Sequence, residues 1–177
     1  AAPDTTLGAA PLSTEAELAA IAGWNATAAD YPRDRTVVDL FAGHVAATPD
    51  APALTYDEVT LTYRELDRVS TALAAELRDR GVTAEDTVGL LVDRDPTVVV
   101  AMLAVAKAGG AYVPLDPAHP RHRLRQIVAE SRPVVVLGDA PTDLGVPVVG
   151  VRAHLDRAGD ATLDGVAATA VPADGLL

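Results

Sequence analysis

Three short apolar runs constrain this chain more than any other feature: TVGLLV at 87–92, AYVPL at 111–115 and PVVVLG at 133–138. A continuous run such as TVGLLV, with no polar alternate face, suits a strand covered on both sides. One helical segment lies between each successive pair of runs. Helices alternating with apolar strands are the signature of an α/β layer fold, here with a mostly parallel sheet and flanking helices. PVVGV at 147–151 reads as a further strand.

The helices carry their own punctuation. Thr14 with Glu17, and Thr62 with Glu65, have the spacing of capping boxes, and Thr36 can cap the helix bearing Val37, Leu40, Phe41 and Val45. The helix opened by Thr62 places Leu66, Val69, Leu73 and Leu77 on one face and meets Gly81 where a C′ glycine belongs. Asp95 caps the next helix, with Pro96 in its first turn, and Gly109-Gly110 stop it. A helix over 121–131 buries Leu124, Ile127 and Val128. ALTY and VTL, around Asp57-Glu58, predict two short strands joined by a tight turn. Residues 1–12 read as a linker, 23–34 as an extended connector, and 152–177 show little periodicity.

Composition excludes several functions. The hydrophobic content of 49% is that of a globular protein, and with aromatics at 3% the core must be Val, Leu and Ala. A formal charge of −11 argues against nucleic-acid and anionic-membrane partners. With no cysteine there is neither a disulfide nor a thiolate metal site. No apolar stretch approaches the ~20 residues of a transmembrane helix, and the N-terminal residues have no secretory character. A soluble cytoplasmic protein is the expectation.

The stretch KAGGAYVPLDP at 107–117 is the one that invites a catalytic reading. A phosphate loop leads into a helix N-terminus, whereas these glycines follow a helix and precede a strand, at the negative end of the dipole. Lys107, the only lysine, complements that dipole in the last helical turn, so the stretch reads as scaffold. His119 and His122, near Asp116, have Pro120 between them and Arg121, Arg123 and Arg125 beside them, which disfavours a cation. His44 and His154 have no ligand-spaced neighbours, and Ser13, Ser70 and Ser131 lie in no nucleophile elbow. The pairs Asp57-Glu58 and Glu85-Asp86 fall in turns as solvated carboxylates, and Arg121, Arg125 and Arg132 form a solvated stripe. No catalytic, cofactor-binding or metal-ligating residue is expected in the chain.

The same residues carry a family resemblance. LTYREL at 61–66 and AMLAVAKAGGAYVPLDP at 101–117 resemble the first two core motifs of nonribosomal peptide synthetase adenylation domains, in the adenylate-forming superfamily. GVTAEDTVGLLVDRD fits the spacing between them, and TVVDLFAGHVAATPDAPAL resembles the domain's opening helix. PLSTEAELAAIAGWNATAADYP resembles the linker that joins a condensation domain to the adenylation domain. The match spans 11 to about 137 and implies two parts: residues 1–34 as condensation–adenylation linker, and 35–177 as the N-terminal part of an AMP-binding adenylation domain. Asp95, Ser70-Thr71 and Arg121 stand where the family commonly has Ser, Ala-Asn and a small residue.

The resemblance implies activation of an amino acid by Mg-ATP as an aminoacyl-adenylate, then transfer to the phosphopantetheine thiol of a carrier domain. It places the phosphate loop shortly beyond Leu177, so the 177 residues alone are expected to be inactive, marginally stable or self-associating. The implied partners are an upstream condensation domain, the remainder of the adenylation domain, a carrier domain and, less readily given the bulk of Arg121, an MbtH-like protein. Two other readings stay open. One is a non-catalytic split-synthetase or docking module that needs a partner chain. The other is an acyl-CoA ligase relative, which the upstream linker and AGGAYVPLDP disfavour.

Overall fold

The computed structural model describes residues 13–139 and 143–158. The readings of 1–12 and of 159–177 lie outside these residues. The chain divides into two compact units, 1–33 and 34–177. In the first, Thr14 and Glu17 close the expected capping box on α1 (Glu15–Trp24). In this helix no residue is buried, and Leu18 and Trp24 are exposed. The Arg33 guanidinium lies 4.7 Å over the Tyr31 ring.

The second unit begins with α2 (Val37–Ala47), where Thr36 and Asp39 cap each other reciprocally. The hairpin of β1 (Pro52–Tyr56) and β2 (Val59–Thr62) follows, antiparallel as its tight turn predicts. Asp57 turns it with a φ of 48°. Next come α3 (Tyr63–Asp79), β3 (Thr87–Leu90), α4 (Pro96–Ala108) and β4 (Ala111–Pro114). The chain continues through α5 (Arg121–Ser131), β5 (Val135–Leu137), β6 (Val148–Val149) and the short α6 (Arg152–Leu155). The last helix was not legible in the sequence, because four residues are too few to show a period.

β3 to β6 form one parallel sheet in the order β4-β3-β5-β6. On one face Val88, Leu90, Val135 and Leu137 join Val69, Leu73 and Leu77 of α3 and Val100, Ala104 and Val105 of α4 in a single core. On the other face Val136 packs with Leu124 and Val128 of α5 and with Leu91, Leu115 and Leu144. Both faces of β3 and β5 are covered, which is why these strands are apolar without alternation, whereas Ala111, Tyr112 and Pro114 of β4 are exposed. Pro114 fits because β4 is an edge strand. Ala111 and Leu115 donate inward to Asp86 and Leu90, so by alternation the nitrogen of Pro114 faces outward, where a missing N–H breaks no ladder bond.

The capping box of α3 bridges the hairpin to the core. The backbone N–H and hydroxyl of Thr62 each donate to Glu65 Oε2 at 2.8 Å, and the Glu65 N–H returns to the Thr62 hydroxyl at 3.2 Å. Thr62→Ala should cost about 1–2 kcal/mol, read as a lowered urea midpoint; an unchanged midpoint would show that the box adds nothing.

Candidate functional site

The stretch 107–117 turns out to be built into the scaffold at its lysine and its glycine pair. Lys107 is 5% exposed. Its ammonium turns away from its own helix end and enters α3. There it donates to the Asp67 carboxylate at 2.7 Å, the Asp67 carbonyl at 3.0 Å, and the Ser70 and Thr71 hydroxyls at 2.8 Å each. The Phe41 ring of α2 lies 5.2 Å from the same nitrogen. Burial pushes the Lys107 ammonium below the usual lysine range, and the hydrogen bond and charge of Asp67 oppose that without cancelling it. The expected dipole role is therefore corrected. Arg78 of α3 donates to the Lys107 carbonyl at 2.9 Å and so serves the end of α4, while Lys107 ties α4 to α3.

The glycine pair has two separate reasons. Gly109 ends α4 with a φ of 88°, a left-handed conformation that glycine adopts without penalty. Gly110 is pressed against backbone: a Cβ there would sit 2.9 Å from the Asp86 carbonyl oxygen. That oxygen already accepts the Ala111 N–H at 2.8 Å, the bond that starts β4.

The sheet order creates a crevice of the kind where ligands bind in such folds. The chain runs from β3 to β4 on one side, then crosses back to β5 on the other, so the carboxyl ends of β3 and β5 mark a topological switch point. A crevice of about 250 Å³ opens there, lined by Leu91, Val92 and Asp93 after β3, Asp139 after β5, Thr97 of α4, Pro117, His119, Arg121 and Leu124 around α5, and Arg152 of α6. Several charges in and beside it are already engaged. Asp95 caps α4 through the Thr97 N–H at 2.8 Å and pairs with Arg152. Asp139 Oδ1 accepts the Val151 and Arg152 N–H groups at 2.9 Å each.

The other residues singled out in the sequence are dispersed. His119 and His122 are exposed, and among the described residues no three His, Asp or Glu side chains converge as metal ligands. Asp116 closes a local turn by accepting the Ala118 N–H at 2.9 Å. His44 stacks on Tyr63 at 5.5 Å. Ser70 and Ser131 donate to the carbonyls of Leu66 and Ile127 one helical turn back. Arg121, Arg125 and Arg132 are all exposed, as a solvated stripe requires; Arg125 pairs with Asp143 at 3.0 Å, Arg132 follows the helix with a φ of 46°, and Arg121 lines the crevice. Asp86 is no merely solvated carboxylate, since it accepts the Thr83 hydroxyl at 2.6 Å and N–H at 2.8 Å. His154 Nε2–H donates to the Glu76 carboxylate at 2.9 Å, a contact no local spacing announces because it joins residues 78 apart.

Three of the unit's carboxylates contribute to its acid stability. Burial raises the Asp95 and Glu76 carboxyls, but hydrogen bonds from Thr97 and Arg152, and from Arg80 and His154, outweigh it and hold both below their ordinary values. Hydrogen bonds from the Thr83 hydroxyl and N–H lower Asp86. Lowered folded-state values mean that the stabilisation is complete above the unfolded values of about 4 and is lost as pH falls through the lower folded ones. Melting temperatures should stay level from pH 7 to about 5 and drop below about 4; a loss already complete at pH 5 would contradict this.

Comparison with known proteins places this geometry. A family model described as AMP-binding enzyme matches residues 41–174. A mycosubtilin synthase protein of Bacillus subtilis is 36% identical over 148 residues, which cover 84% of this chain and 6% of that protein. Bacitracin synthase 3 of Bacillus licheniformis is 41% identical over 116 residues, 66% of this chain and 2% of that protein. Among solved structures, the nonribosomal peptide synthetase FmoA3 superposes with a TM-score of 0.73 at 25% identity, covering 95% of this chain and 19% of FmoA3. The N-terminal subdomain of NpsA from Klebsiella oxytoca gives 0.62 at 26% identity, covering 71% of this chain and 33% of the subdomain. The chain thus spans a small fraction of its curated relatives, and its parallel sheet with flanking helices is part of the adenylate-forming fold. It belongs to the AMP-binding enzyme family, as a portion of a nonribosomal peptide synthetase adenylation domain.

Proposed function

We propose that this chain supplies the opening α/β layer of an amino-acid-activating domain in nonribosomal peptide synthesis. Together with the rest of the domain it would serve attack of an amino-acid carboxylate on the α-phosphate of Mg-ATP. Pyrophosphate would leave, and the acyl group would pass from AMP to the phosphopantetheine thiol of a carrier domain. Two solved relatives support the class. One is an artificially fused adenylation–PCP didomain. The other is a four-domain synthetase bound to AMP and glycine, 31% identical with a TM-score of 0.63.

One observation carries the reading of this layer as scaffold. Thr62, Glu65, Lys107, Gly109 and Gly110, polar and glycine residues within the two family motifs, are occupied in capping, in tying α3 to α4 and in close backbone packing. No step of the reaction is assigned to the described residues. Residues 1–34 would act as the linker from an upstream condensation domain. An MbtH-like protein stays a candidate partner near this surface, one that the bulk of Arg121 at the first position of α5 makes less favoured here. Among the described residues no helix is long and apolar enough to cross a membrane.

Amino-acid-dependent ATP–pyrophosphate exchange tests the proposal in two arms. The 177-residue chain alone should give none. Residues 35–137, exchanged for the matching segment of an adenylation domain of mycosubtilin synthase, should leave a folded chimera with exchange and with the recipient's amino-acid preference. Robust exchange by the chain alone, or a folded chimera without exchange, would overturn it.

A further inference from the structure

We draw no further inference here: the strongest candidate, the crevice at the carboxyl ends of β3 and β5 where Arg121 and the uncapped N-terminus of α5 meet, carries nothing because no second observation points to a ligand there.

Discussion

Lys107→Ala should destabilise the 34–177 unit by about 3 kcal/mol, the low end of what removing one partner of a buried ion pair costs. The low end applies because the two sides of the pair are unequally buried: the lysine side chain is 6% exposed and the Asp67 side chain 36%. Without the ammonium, the Asp67 carboxylate can recover water, but the Ser70 and Thr71 hydroxyls lie in the interface between α3 and α4 and lose their donor. The lysine stem also fills space, so the alanine leaves a cavity as well as orphaned acceptors. Lys107→Met separates these effects by keeping the stem and deleting the charge, and it should recover part of the loss. In urea denaturation the alanine variant should show the lower midpoint at unchanged slope, with melting some 6–12 °C below the parent for a domain of this size. An alanine variant within about 1 kcal/mol of the parent would mean that the four contacts do not outweigh the burial of the ammonium. A double-mutant cycle with Asp67→Asn would apportion the pair, since Ser70 and Thr71 remain in both backgrounds.

How much of this was visible in the sequence follows the range over which each interaction acts. Caps are local, so Thr14-Glu17, Thr62-Glu65 and Asp95-Pro96 could be read directly, and the helices begin where those residues say. Asp39 was the partial miss among them: it closes a box on Thr36 in the role more often filled by Glu or Gln. TVGLLV announced a strand covered on both faces, yet the spatial order of the strands could not be read, because either side of β3 would have satisfied that run equally. The destination of Lys107 was hidden for the same reason. Position in the last turn of a helix suggested the dipole, whereas its acceptors lie 36 to 40 residues away. The wall of the crevice was the least legible part, since Asp95 meets Arg152 across 57 residues and Asp139 caps a helix of only four residues.

Gly110→Val should be more damaging still, and for a reason distinct from that at the neighbouring glycine. At position 109 the left-handed backbone is the issue, and Gly109→Ala should cost on the order of 1 kcal/mol. At 110 the obstacle is space. A Cβ would stand 2.9 Å from the Asp86 carbonyl oxygen, 3.3 Å from Val82 Cγ1 and 3.4 Å from Val105 Cγ1. The valines can yield a little, but the carbonyl belongs to backbone that holds the first bond of β4, Ala111 N–H to Asp86 at 2.8 Å. Relief therefore requires the start of β4 to move away from the residue preceding β3, and Gly110 N–H is itself bonded to the Val105 carbonyl at 3.1 Å, which limits escape in the other direction. Overpacking typically costs about 1–3 kcal/mol, occasionally more, and backbone rather than side chain must yield here, so about 3 kcal/mol or more is expected for valine and somewhat less for alanine. Amide hydrogen exchange separates this from general weakening: the Ala111 amide should lose protection ahead of the Val135–Leu137 amides, which lie on the other side of β3. If Gly110→Val melts with the parent, the close approach of α4, β4 and Asp86 is not what requires the second glycine of KAGGAYVPLDP.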